Sequence, residues 1–197
     1  MKNCAFILTV WGLSQAVPLA RCEDAPSTTA RQPTVTAVSA EIEKSLFDSK
    51  NKGLVLIFIS TECPIANRYA PEIQRLWQEF GPQGFDFRLV YPNQDETAVA
   101  ARKHLADFKY QIPALIDHEH VLVKCTGVHT LPESAVFVAG QGWVYHGRID
   151  DRDSDFGKTR PQAGKRDLHE VLEAIVGGQK VAPHSTIAIG CTIPPVP

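Results

Sequence analysis

The residue best placed to do chemistry is Cys63. It follows an apolar run, Leu54-Val55-Leu56-Ile57-Phe58-Ile59, and directly precedes Pro64, where a helical pattern begins. A thiol at a helix N-terminus meets unpaired backbone N–H groups and the positive end of the helix dipole. Both favour thiolate, the nucleophilic form of sulfur. The competing reading of the same placement is a buried structural cysteine. For catalysis Cys63 must be ionised near neutral pH and reachable from solvent. Its neighbours bear on that requirement. Glu62 opposes the thiolate or takes its proton. Arg68, about five residues into the helix, either helps to hold a thiolate or is an ordinary solvated helix residue.

Only some of the five cysteines belong to the expected mature chain. Lys2 and the apolar stretch Ala5-Phe6-Ile7-Leu8-Thr9-Val10-Trp11-Gly12-Leu13 read as an export signal over 1–22, with cleavage after Ala16 or after Cys22. Cys4 leaves with that segment, and Cys22 can leave with it. Cys63, Cys125 and Cys191 remain, in a periplasmic or extracellular setting where disulfides persist. An odd number of thiols suggests one bridge and one single thiol, and Cys125 is expected to pack as a small apolar residue.

Composition narrows the rest. A chain of 197 residues with 44% hydrophobic content supports one buried core. A net charge of -2 provides no basic field for nucleic acid, and no 18-residue apolar stretch suggests a transmembrane segment.

The elements that must position Cys63 follow from periodicity. Residues 23–36 are polar and read as a flexible linker, leaving 37–197 as the domain. Ile42, Leu46 and Phe47 mark a short helix. Residues 54–59 form a buried strand. A helix with Ile65, Tyr69, Ile73, Leu76, Trp77 and Phe80 on one face runs to Gly81-Pro82, kinked by Pro71. Phe85 to Tyr91 is a strand. Asp95 caps a helix through Phe108. Ala114 to Ile116 is a short strand, and Val121 to Cys125 fits helix or strand. Ser134 to Ala139 and Trp143 to Ile149 flank a Gly140-Gln141-Gly142 turn. A mixed-charge loop, 150–165, leads to a last helix over Asp167 to Val176, stopped by Gly177-Gly178. A proline-rich tail carries Cys191.

Strands alternating with helices, then a hairpin and a helix, describe a mixed sheet covered on both faces. The segment from about 50 to 193 resembles the redoxin (AhpC/TSA-type) branch of the thioredoxin-like superfamily. Cys63 ends the first long strand and Pro71 falls eight residues later. Leu131-Pro132-Glu133 precedes the strand 134–139. Gly147-Arg148-Ile149-Asp150-Asp151 follows the hairpin, and Ile189-Gly190-Cys191-Thr192-Ile193 closes the chain. The resemblance implies a three-layer α/β fold with helices flanking a central mixed sheet and an insertion before the cis-proline strand. It also implies a cis Pro132 that leaves the backbone of Leu131 open to a substrate chain. The activity implied is that of a thiol-dependent oxidoreductase without cofactor or metal. It would act on a thiol or disulfide protein partner or on a small peroxide.

Two departures matter. Ala66 stands where thioredoxins carry the second cysteine of Cys-x-x-Cys. Ser60 fits the peroxiredoxin box Pro-x-x-x-Thr/Ser-x-x-Cys, but Leu56 occupies its proline position. Cys191 is therefore the candidate to resolve oxidised Cys63. Residues 180–191 can reach roughly 35 Å at about 3.3 Å per residue, against roughly 20 Å for a strand's length. Such a bridge can serve catalysis or structure alone. Arg148 either polarises a peroxide or pairs with Asp150 or Asp151. Two alternatives stand beside the oxidoreductase. One is a copper(I) module using Cys63, Cys191 and a histidine such as His129, His146 or His184. The other is a non-catalytic interaction domain.

Overall fold

A computed structural model describes residues 33–47 and 51–196, without the side chains of residues 40–43, Ile42 among them. The expected signal over 1–22, both cleavage positions and the linker up to residue 32 lie outside the described residues. The linker's expected end is corrected: Val35 and Thr36 open strand β1 (Val35–Ala37), which pairs in parallel with Ala114–Ile116.

Helix α1 (Ala40–Phe47) leads into β2 (Gly53–Phe58). Every residue of β2 is buried, as a strand covered by helices on both faces requires. Helices α2 (Pro64–Arg68) and α3 (Ala70–Phe80) meet at Tyr69, two residues before Pro71, whose ring nitrogen has no proton to give the helix ladder. Ile73, Leu76 and Phe80 bury the inner stripe of α3, each stabilising by about 1.5–3 kcal/mol, while Trp77 sits partly exposed at its margin. β3 (Phe85–Tyr91) follows. The next helix, α4 (Ala98–Asp107), is capped by Thr97, whose Oγ1 accepts from the Ala100 N–H at 3.1 Å, and not by Asp95.

β4 (Ala114–Ile116) and α5 (Val121–Thr126) make up the insertion, and the ambiguous segment at 121–125 is helical. The Asp117 carboxylate decides this by accepting the N–H groups of Val121, Leu122 and Val123. Cys125 is exposed on this helix, which corrects its expected packing. β5 (Thr130–Leu131) precedes the hairpin of β6 (Glu133–Val138) and β7 (Gly142–Gly147). The charged loop folds into a small ribbon, β8 (Asp153–Asp155) with β9 (Lys158–Thr159), before α6 (Asp167–Val176). Two short strands, β10 (His184–Ser185) and β11 (Cys191–Thr192), organise the tail.

The main sheet runs β1-β4-β3-β2-β6-β7-β10. β3 lies parallel to β2, whereas β6 is antiparallel to it and β7 antiparallel to β6. β7 therefore runs in the same direction as β2. This is the thioredoxin-like arrangement, with β2 at the centre and Cys63 just past its C-terminal end. The tail takes part in two of the three sheets among the described residues. β10 extends the main sheet along β7, and β11 pairs antiparallel with β5.

Candidate active site

Cys63 is the N-cap of α2, and its Sγ accepts from the Ala66 N–H at 3.5 Å. Its thiol lies 3.3 Å from the Leu131 carbonyl oxygen, to which it donates, across a Leu131–Pro132 peptide bond that is cis. The Sγ of Cys191 is 2.7 Å away, from a position 128 residues further along the chain. Local periodicity places Cys63, and the family resemblance points to Pro132. The third member of the cluster arrives only because β11 pairs with β5.

Solvent access is where expectation and structure part. Cys63 is only 2% exposed, because the partly exposed Cys191 packs onto it. Burial, helped by hydrogen bonding to Cys63, pushes the Cys191 thiol up to about 11.

The loop that presents Cys63 is fixed by polar contacts. The Ser60 hydroxyl accepts from the Glu62 N–H at 3.3 Å and from Asn93 Nδ2 at 3.0 Å. The Thr61 N–H donates to Glu96, and Asn67 Nδ2 donates to the Thr61 carbonyl at 3.2 Å. Asn67 Oδ1 is then left to accept from His104 Nε2 at 2.8 Å, so Nδ1 of that ring accepts from the Tyr91 hydroxyl, also at 2.8 Å. Burial lowers the His104 pKa, keeping the ring neutral in this chain of contacts. Glu62 itself is exposed. The buried carboxyl in this region belongs to Glu96, and desolvation raises its pKa.

The two arginines point elsewhere. Arg68 pairs with Asp153 at 3.0 Å, tying α2 to the β8–β9 ribbon. Arg148 makes a two-pronged contact with Asp167, at 2.8 and 3.2 Å, and not with Asp150 or Asp151. Asp150 instead accepts from the Tyr69 hydroxyl at 2.7 Å and pairs with Arg152, whose guanidinium lies over the Tyr69 ring. The histidines weighed for copper have partners other than the two sulfurs. His146 Nδ1 is 3.3 Å from a Glu133 oxygen, His184 leans on Tyr145, and His129 is exposed. Among the described residues, no three His, Cys, Asp or Glu side chains form a metal-binding group.

Sequence reasoning missed two positioning groups. Glu133 is buried, and its Oε2 accepts from the N–H groups of His129 and Thr130, both at 3.1 Å, which holds β5 in place. A carboxylate directly after Leu131-Pro132 was the available signal. Gly190 is the other: a Cβ there would collide with the Leu131 carbonyl, so only glycine lets β11 lie this close.

The AhpC/TSA family model matches residues 23–146, more than half of the chain. A thiol-disulfide oxidoreductase ResA from Bacillus thuringiensis subsp. konkukian is 28% identical over 89 residues, 45% of this chain and 50% of that protein. The chain thus spans about half the length of the curated relatives it matches. A hypothetical protein of Sinorhizobium meliloti 1021 superposes with a TM-score of 0.63 at 24% identity, over 77% of this chain and 82% of that one. A thioredoxin-like protein in its oxidised form gives a TM-score of 0.50 at 13% identity, over 66% of this chain and 81% of its own. At these identities the two structures bear on the fold alone.

Proposed function

The chain belongs to the AhpC/TSA family, and from that premise we propose that it is a thiol–disulfide oxidoreductase with Cys63 as nucleophile and Cys191 as resolving thiol. The observation that carries this reading is the 2.7 Å approach of two sulfurs beside a cis-proline peptide. In the reducing direction Cys63 attacks a sulfur of a partner disulfide and forms a mixed disulfide. Cys191 then attacks Cys63, the partner leaves as a dithiol, and the Cys63–Cys191 bond takes its place. The two electrons gained by the partner are those lost by the pair. The similarity to a thiol-disulfide oxidoreductase ResA supports the same chemistry over the matched segment.

Disulfide exchange is favoured over peroxide reduction. Leu56 replaces the proline of the peroxidase box, and Arg68 and Arg148 are engaged by Asp153 and Asp167. The signal-like N-terminus supports export to the periplasm or the extracellular space, where such exchange has disulfide partners.

A non-reducing peptide map of the mature protein, taken across a series of glutathione ratios, tests the reading. A Cys63–Cys191 bridge that opens and closes with the ratio, and is abolished by Cys63→Ser, is expected. A bridge that resists glutathione makes the pair structural. A sulfenate on Cys63 after stoichiometric peroxide, with no mixed disulfide formed from protein disulfides, transfers the activity to peroxide.

A further inference from the structure

The tail that delivers Cys191 lies along the same edge that a partner chain would use. Strand β11 runs antiparallel to β5, with Cys191 opposite Leu131 and Thr192 opposite Thr130. The Ile193 N–H extends the ladder to the His129 carbonyl at 3.0 Å. Contact alternates along the strand, as a pleated segment on a surface must. Cys191 faces Cys63, Thr192 is exposed, and Ile193 is buried. At Gly190 the backbone comes so close to the Leu131 carbonyl that no side chain fits. The receiving strand does not depend on the tail for its shape, because the Glu133 carboxylate already holds the His129 and Thr130 N–H groups.

We propose that residues 190–193 are an internal copy of the sequence this protein recognises in its partners. The partner is then an extended segment carrying a small residue, the exchanging cysteine, a residue of any type and a branched aliphatic residue. This inference rests on the thiol-exchange reading above and deepens it. The tail and the partner compete for one edge, so the tail must lift before the partner binds. Cys63 thiolate then attacks the partner cysteine's sulfur; the Cys63–partner bond forms as the partner's S–S bond breaks, and the second sulfur leaves with the electron pair. When the tail returns, Cys191 attacks Cys63, the partner cysteine departs as thiolate, and β11 retakes the vacated edge. Resolution and release become one event.

The test uses the full chain in a Cys4→Ser, Cys22→Ser, Cys125→Ser background, so that once Cys191 is replaced Cys63 is the one thiol followed. Cys191→Ser alone keeps the tail seated. Cys191→Ser with Gly190→Val, or with Ile193→Asp, displaces it by two independent routes. The probe is the peptide Ala-Ile-Gly-Cys-Thr-Ile-Pro-Pro, activated as its mixed disulfide with thionitrobenzoate, whose release is read by absorbance. Two further peptides carry valine for the glycine or aspartate for the second isoleucine. Each displaced variant is expected to react with the parent peptide roughly tenfold or more faster than with either altered peptide, the scale of losing one well-seated aliphatic contact. It should also exceed Cys191→Ser alone by a similar factor. Equal rates for all three peptides, or no gain on displacing the tail, overturn the inference. The small reagent dithiobisnitrobenzoate separates the two layers. Reaction of Cys63 with it, without peptide discrimination, removes the internal-copy inference alone. No reaction of Cys63 with it removes the exchange chemistry beneath.

Discussion

Oxidising Cys63 and Cys191 to a disulfide is expected to stabilise the folded chain by about 5 kcal/mol, because the bond would close a loop spanning 128 residues. Most of that value comes from the unfolded state, whose ends lose their freedom to separate. The folded state changes little, since β10 and β11 already hold the tail in the reduced protein. Urea unfolding with and without reductant measures the difference. With a slope of roughly 2 kcal/mol per molar, the oxidised midpoint should lie roughly 2.5 M higher. The same quantity is available from a second route. The equilibrium between glutathione and the Cys63–Cys191 pair, compared for native and urea-unfolded protein, should differ by three to four powers of ten, at about 1.4 kcal/mol per decade. The two measurements close one thermodynamic cycle. Midpoints within about 0.5 M of each other, or a glutathione ratio near unity, would refute the claim that the native fold itself brings these sulfurs together. Replacing Cys4, Cys22 and the exposed Cys125 by serine keeps the other three thiols out of both experiments.

The reduced protein should lose stability as pH rises from about 9 to about 11. The folded state keeps the Cys191 proton to about 11, whereas an unperturbed thiol releases it near 9.0. The contribution is complete below the lower value and gone above the upper one. Urea midpoints at pH 8 and pH 10 check this, and the oxidised protein should lack this component. Glu96→Gln should help more at pH 8 than at pH 4. Burial raises the Glu96 carboxyl, so its neutral form is favoured in the fold and stability is lost as pH rises through the folded value. A gain in urea melts that grows from pH 4 to pH 8 is expected, and a gain confined to acid would contradict it. Asp117→Ala should cost about 1–2 kcal/mol in the same assay, because three N–H groups at the start of α5 lose their acceptor. Arg148→Ala should leave the alkylation rate of Cys63 unchanged, since its guanidinium serves Asp167; a large fall would return Arg148 to the site.

What the amino-acid order determined by itself was whatever depends on neighbours a few residues apart. The unbroken apolar run of β2, the 3.6-residue stripe of α3, the kink ahead of Pro71 and the Gly177-Gly178 stop all follow from local sterics and burial. The position of Cys63 at a strand-to-helix junction follows too. The cis bond before Pro132 was legible through family resemblance, not through periodicity. Other features needed partners distant in the chain. Val121–Thr126 became helical because Asp117 caps it, and Val35–Thr36 became strand because β4 offered an open edge. Arg148 went to Asp167, although nearer carboxylates were available in sequence. Above all, the length of the tail permitted contact between Cys191 and Cys63 without requiring it. Only the pairing of β11 on β5, together with the absence of a side chain at Gly190, brings the second sulfur to the first. Spacing along a chain bounds the distance between two residues, and tertiary hydrogen bonding and packing choose one value within that bound.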